Sequence, residues 1–322
     1  MKQAATAKVK PAGERTWKQA LQTNRWLYIM IIPGLLYMLI FNYLPMGGLI
    51  MAFQNFSPYN GEGVFGAFVH SPFVGFETFR KFFTGPDFFN LLKNTLSISL
   101  TSLVFYFPAP IILALFLNEI KSVVFKRTAQ TMIYIPHFIS WVIVAALTQQ
   151  MFSTTDGLVY HWFTEWFGRS GAPDIMSNPR LFVPMLIGQM MWKETGYGTI
   201  IFLAALSGVD TQLYEASEVD GANRWQKMWH ITLPAIRGTI VIMLILKVGQ
   251  LLNTGYEQIF LMQNSMNRAV SDVFDTYIYT KGVMNGNYSL ATAAGMFKSI
   301  VSMIMVLGAN KLAKYFGESG FY

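Results

Sequence analysis

Apolar residues gather in six long runs separated by shorter polar connections, the pattern of a chain that crosses a bilayer repeatedly. The hydrocarbon core of a bilayer takes roughly 20 mostly apolar residues in a helix. Runs of that length extend from about Trp26 to Phe53, Leu91 to Leu117, Thr131 to Phe152, Leu181 to Leu206, Ile236 to Leu261 and Leu290 to Leu312. Pro33, Pro45, Pro108, Pro110, Pro136 and Pro184 lie inside these runs. Such prolines break helices in water, but packed membrane helices tolerate them because neighbouring groups re-satisfy the freed backbone. The pattern predicts an all-α membrane protein with six transmembrane helices.

Composition agrees. Of the 322 residues 53% are apolar and 13% charged, with a mean hydropathy of +0.36. A soluble domain carries about 25% charged residues, so this chain cannot clothe a water-exposed surface, and a cytosolic globular enzyme is excluded. The abundance of Phe, Tyr and Trp supplies too much buriable surface for a disordered chain. With no cysteine there is no disulfide frame, cysteine–zinc site, iron–sulfur cluster or thiol nucleophile.

The net charge of +7 is topological information. The N-terminal tail, the connections after the second and fourth runs and the C-terminal tail together hold 14 Lys and Arg, against 6 in the other three connections. By the positive-inside rule both termini and the 207–235 connection face the cytoplasm. No basic face remains for nucleic acid. Residues 1–25 read as a basic cytoplasmic tail, and 26–322 as a transmembrane domain. The apolar run after the tail is too long for a signal peptide, and no clear cleavage site follows it. Two outer connections, Phe76 to Phe83 and Leu158 to Phe163, read as aromatic-rich amphipathic stretches. They suit anchoring at the lipid headgroups, or contact with an external partner.

Several chemistries are missing. No Gly-Lys pair occurs, so there is no Walker A loop. His70, His137, His161 and His230 lie far apart without metal-ligand spacing. His137, inside a span, suits a packing or hydrogen-bonding role.

The connection after the fourth run is too apolar for a plain loop. Asp210 or Thr211 caps a short helix carrying Glu215 and Glu218. Gly221 ends it, and a second helix runs from Asn223 to His230 before Pro234 opens the fifth run. Leu213, Tyr214, Val219, Trp225, Met228 and Trp229 sit in this water-facing segment. An apolar cluster there marks a partner site or a face packed on the bundle. The segment resembles the EAA loop of binding-protein-dependent ABC importer permeases: E-A-A, three residues, G, nine residues, I-x-L-P. Glu215, Ala216, Ser217, Gly221, Ile231, Leu233 and Pro234 stand at those spacings, with Ser217 replacing the second Ala. The Phe73 to Leu96 region, Trp192 to Ala205 and the ending Gly317-Glu318-Ser319-Gly320 also resemble the sugar-permease branch. Within it the likeness is to permeases for complex or polymeric saccharides, among them the alginate importer's first permease subunit.

The resemblance implies a type I ABC importer permease architecture in the bacterial plasma membrane. It implies no catalysis and no cofactor in this chain, with ATP and magnesium on two partner ATPase subunits. It further implies a second homologous permease, forming a heterodimer, and an extracytoplasmic solute-binding protein. The helix pair would dock in a cleft of an ATPase, with Glu215 meeting a basic residue, Gly221 making the turn and the apolar residues filling the cleft.

Ionisable residues inside a span are functional candidates because they are costly there. Lys193 and Glu194 fall in the fourth run, Lys247 and Glu257 in the fifth and Lys298 in the sixth. Helical spacing puts Gln189, Met190, Glu194 and Tyr197 on one face, and Lys247, Gln250, Asn253 and Thr254 on another. Both strips offer the amides, carboxylate and aromatic ring that a sugar needs, and both equally suit hydrogen bonding between helices. Related sugar permeases place the substrate path on the helices flanking the EAA loop, which selects Glu194, Tyr197, Lys247, Gln250 and Asn253. A secondary transporter for a small polar solute is the rival reading; it would need an inverted repeat or a coupling-ion carboxylate cluster, and neither is evident.

Overall fold

The computed structural model describes residues 24–168, 174–317 and 320. Most of the basic tail, and Glu318 and Ser319 of the C-terminal motif, lie outside the described residues. The chain divides into two compact units, 1–50 and 51–322.

The helical run α1 (Arg25–Phe53) makes up most of the described part of the first unit and ends three residues past its boundary. Its large apolar side chains from Trp26 to Ile50 are exposed on all sides. A helix apolar all round has no water-facing side and belongs in lipid or against other membrane helices.

The second unit starts with two short helices, α2 (Gly63–His70) and α3 (Glu77–Thr84). The long helix α4 (Phe88–Glu119) follows. Next come α5 (Val123–Phe138) and α6 (Trp141–Phe152), which meet at 92°. The outer α7 (Leu158–Phe167) leads to α8 (Pro179–Ser207), 29 residues long. The hairpin α9 (Thr211–Val219) and α10 (Arg224–Ala235) then feeds α11 (Arg237–Gly249), with a 60° bend between α10 and α11. After a non-helical stretch come α12 (Tyr256–Met262), the turn α13 (Arg268–Ser271), α14 (residues 274–284) and the closing α15 (Tyr288–Tyr315). Among the described residues the only β-type pairing is an isolated bridge, Gln54 to Phe73.

Among the described residues, three helices are long and apolar enough to cross a membrane, or up to five if each bent pair is one span. The helix α8 has the length, but Gln189, Lys193, Glu194, Thr195 and Thr199 dilute its apolar run. Two expected spans differ from single helices. The third breaks at Ile139, where Ser140 caps the new helix by accepting from the Ile143 amide at 3.3 Å. The fifth stops at Gly249 and resumes only at Tyr256.

Three of the prolines are accommodated by one device. A π-helical segment covers Leu39–Tyr43, Ser102–Tyr106 and Met228–Thr232, and each ends two residues before a proline: Pro45, Pro108 and Pro234. Proline lacks the N–H and its ring clashes with the carbonyl four residues back, at about 3 kcal/mol or more. Widening the preceding turn moves that carbonyl aside.

Three buried clusters hold the second unit. Ile98, Phe182, Leu186, Ile259 and Met262 join α4, α8 and α12. Ile111, Leu115, Phe202, Leu206 and Ile236 join α4 and α8 to the start of α11. Phe82, Leu91, Leu252, Phe274 and Ala294 join α3, α4, α14 and α15. The expected headgroup anchor at Phe76 to Phe83 is thus partly a core element: Phe82 is 2% exposed, while Phe76 and Phe83 face outward. At Gly196 a methyl group would run into the Ile133 carbonyl, so α8 and α5 touch backbone to backbone there.

Candidate functional site

The α9–α10 hairpin is built by side-chain caps. Asp210 accepts from the Gln212 amide at 2.9 Å and so starts α9. Gly221, at φ 75°, closes it in a Schellman turn: Ala222 N donates to Ser217 O at 2.9 Å and Gly221 N to Glu218 O at 3.1 Å. A capping box opens α10, with Gln226 N donating to Asn223 Oδ1 at 2.9 Å and Asn223 N to Gln226 Oε1 at 2.7 Å. That helix runs past His230 to Ala235, because its π turn lets it continue through Pro234.

Two bonds lock the hairpin. The Tyr214 hydroxyl lies 2.9 Å from Thr232 Oγ1, and Lys227 Nζ donates to Glu218 Oε1 at 2.7 Å. That ammonium holds the Glu218 carboxyl below its ordinary range, first through the hydrogen bond and then through its charge. The apolar residues divide between two faces. Met228 and Leu233 pack on the α4–α8 core. Leu213, Val219, Trp225 and Trp229 are exposed, between 51% and 89%. Glu215 is exposed and makes no hydrogen bond or ion pair among the described residues, whereas Ser217 Oγ donates to Tyr214 O at 2.7 Å. The hairpin therefore presents a free carboxylate and a set of bare aromatic and aliphatic groups.

The second candidate lies where α4, α6, α8 and the 250–255 break converge. An open recess of about 370 Å³ is lined by Tyr106, Trp141, Glu194, Lys247, Tyr256 and Glu257 among others. A smaller pocket is bordered by Ser102, Lys247, Gln250, Asn253 and Thr254, and a third, of about 260 Å³, by Tyr106, Gly198, Lys247 and Gln250. Lys247 borders all three. Its ammonium sits 5.1 Å over the Tyr106 ring and has no carboxylate partner among the described residues.

Lys247, Gln250, Asn253 and Thr254 do meet, but not as a helical strip. The helix ends at Gly249, and an irregular backbone brings the last three residues together. The fourth-run strip is divided. Glu194 borders the recess, yet its Oε2 lies 2.7 Å from His137 Nδ1 and its Oε1 accepts from Lys193 Nζ at 2.9 Å. Lys193 also donates to His137 O at 2.7 Å, so this pair of charges and the histidine satisfy one another. Tyr197 stacks on the His137 ring at 3.9 Å and does not line the recess. Gln189 is turned inward, donating to Thr148 Oγ1 at 2.7 Å and accepting from Gln258 Nε2 at 2.9 Å.

Sequence reasoning missed Tyr106 and Trp141, which no spacing singles out in a chain this rich in aromatics. It also missed Asp275, outside the six runs, which pairs with Lys298.

Residues 106–316 match the family described as "Binding-protein-dependent transport system inner membrane component", and the chain belongs to it. It is 50% identical over 307 residues to Protein LplB of Bacillus subtilis (strain 168), covering 95% of this chain and 94% of that one. It is 47% identical over 299 residues to the polygalacturonan/rhamnogalacturonan transport system permease protein YteP of the same organism, covering 93% and 91%. Its fold matches a chain in the crystal structure of a bacterial ABC transporter involved in the import of the acidic polysaccharide alginate. That match has a TM-score of 0.84 and 38% identity, over 94% of this chain and 99% of that one. A second match, with the same score and identity, is to the alginate transporter in complex with an alginate pentasaccharide-bound periplasmic protein. The chain is therefore an inner-membrane permease component of an ABC importer and not an enzyme, and the secondary-transporter reading falls.

Proposed function

We propose that the chain is one of two permease subunits of an ATP-driven importer that carries an acidic oligo- or polysaccharide inward. The observation that carries the substrate class is Lys247, an ammonium bordering three neighbouring cavities with no carboxylate partner among the described residues. Around it stand groups that suit a uronic acid. Lys247 takes the carboxylate, Glu257 and Gln250 and Asn253 take hydroxyls, and Tyr106, Trp141 and Tyr256 offer ring faces. Glu194 borders the same space, already held by His137 and Lys193. The acidic polysaccharides named for YteP and for the alginate transporter support this choice.

A binding protein delivers the saccharide to the outer face, and a second homologous permease supplies the other wall of the path. Six spans place both termini in the cytoplasm. The hairpin, through Glu215, Ala216, Ser217, Gly221, Ile231, Leu233 and Pro234, engages an ATPase subunit, and two such subunits hold ATP and magnesium. Their closure rocks the permeases between inward- and outward-facing states, a rigid-body bistable transition.

The test is transport of an acidic and a neutral oligosaccharide by the reconstituted importer carrying Lys247→Ala or, separately, Asn253→Ala. Loss of one neutral hydrogen bond weakens handling by about 0.5–1.5 kcal/mol, so Asn253→Ala should slow transport of whichever sugar is carried. Lys247→Ala should impair the acidic sugar far more than the neutral one, because a charge pair in a poorly hydrated site is strong. Equal losses for both sugars would remove the charge-recognition reading. No loss in either variant would return both residues to bundle packing.

A further inference from the structure

Between α11 and α12 the chain leaves the helix within the fifth apolar run, and its backbone groups must find other partners. The first do so locally: Gln250 N donates to Lys247 O and Leu251 N to Val248 O, each at 3.1 Å, and Asn253 N to Gln250 O at 2.8 Å. At Thr254 the supply of carbonyls stops. Its N–H donates instead to Asp275 Oδ2 at 2.9 Å, and its hydroxyl lies 3.3 Å from the same oxygen. The other carboxylate oxygen, Oδ1, accepts from Lys298 Nζ in α15. Thr254 is 8% exposed, and the side chains of Asp275 and Lys298 are 17% and 7% exposed. Irregular backbone at membrane depth persists only where protein satisfies it. Here one carboxylate does so, and one ammonium neutralises it.

We infer that Asp275 is a positioning residue. By replacing the missing helical acceptor for Thr254 it holds the 250–255 break in the shape that directs Gln250 and Asn253 into the pocket beside Lys247. Lys298, donating to the other oxygen, keeps the carboxylate aimed. The consequence for transport rests on the saccharide path proposed above; the geometric role does not. Neither residue lines the pockets around Lys247, so the pair acts through the backbone of another segment.

Removing the ion pair must be separated from removing the acceptor. Asp275→Asn with Lys298→Met abolishes both charges but leaves a carbonyl oxygen for the Thr254 N–H. Asp275→Leu with Lys298→Met abolishes the charges and the acceptor at similar volume. A pair that merely stabilises the bundle would make the two variants alike. The chain has no cysteine, so Asn253→Cys is a unique reporter. Its modification by a methanethiosulfonate reagent is measured in the complete reconstituted transporter, alongside ATP hydrolysis stimulated by binding protein loaded with trigalacturonate.

The Leu/Met variant should change the modification rate by about fivefold or more and, without the cysteine, raise the half-saturating concentration about tenfold with the maximal rate within about twofold. The Asn/Met variant should stay near the parent in both. Equal labelling in the two double variants would overturn the inference. A labelling contrast with unchanged half-saturation would uphold the clamp and remove the break from the saccharide path. If the Leu/Met pair does not assemble, Asp275→Ala with Lys298→Met takes its place under the same expectations.

Discussion

The sharpest consequence of the hairpin geometry concerns Gly221. It sits at φ 75° with no atom within 4 Å of where a Cβ would stand, so a side chain there meets open space and the penalty is backbone alone. A left-handed residue with a Cβ costs roughly 1–2 kcal/mol, which shifts a local equilibrium by a factor of about 5–30. The turn it makes carries two hydrogen bonds, from Ala222 N to Ser217 O and from Gly221 N to Glu218 O. The Tyr214–Thr232 and Lys227–Glu218 contacts hold the two helices together but do not set φ at the turn. Gly221→Ala should therefore weaken ATPase-subunit association by about 5- to 30-fold while the protein remains inserted and folded. Asn adopts the left-handed region more readily than Ala, so Gly221→Asn should lose less. Proline cannot reach a positive φ and removes the N–H that Glu218 accepts, so Gly221→Pro should abolish coupling. The assay is binding of the purified ATPase subunit to the permease in nanodiscs, followed by substrate-stimulated ATP hydrolysis. Normal stimulated hydrolysis in Gly221→Pro, or an Asn variant worse than Ala, would refute the argument.

Two further outcomes follow from the same structure. Glu215 is exposed and unpaired among the described residues, so Glu215→Lys should leave thermal stability unchanged yet sharply reduce ATPase association and stimulated hydrolysis; undiminished hydrolysis would end its docking role. In intact cells a membrane-impermeant thiol reagent should label Asn287→Cys, at the start of α15, and fail to label Asn223→Cys, at the cap of α10; the reverse pattern would invert the proposed topology.

The residues that made these elements legible, and those that hid them, differ in kind. The hairpin could be read closely because each of its turns is encoded locally: Asp210 and Asn223 as caps, Gly221 as the left-handed stop, Gln226 three residues after its cap. The fold was needed for the continuation of α10 past His230 to Ala235 and for the split of its apolar residues between core and surface, where the neighbours Met228 and Trp229 take opposite sides. The long runs were readable from apolar density. The breaks inside them were not, because Ser140 is a single polar residue between Ile139 and Trp141, and Gln250, Asn253 and Thr254 read equally well as a strip on a continuing helix. A local cap from Ser140 opens the new helix in the first case, and in the second the acceptor is tertiary, a carboxylate 21 positions further along the chain.

The charged residues within the spans carry the same lesson further. Cost alone marks every one of them as a functional candidate, and only the family resemblance set Lys247 apart from Lys193 and Lys298. Their partners rank them. Lys193 spends its donors on Glu194 and the His137 carbonyl, and Lys298 is committed to Asp275. Removing one member of either set would leave an uncompensated buried charge, the situation that destabilises most. Those residues are therefore bound to the architecture, whatever else passes beside them. Lys247 has an aromatic ring beneath it and cavity around it, and among the described residues no carboxylate pairs with it. An ammonium in that condition is costly to a bundle, and the proposed path for an anionic solute gives it a use. Among the three lysines, Lys247 is therefore the one the proposed function assigns to recognition.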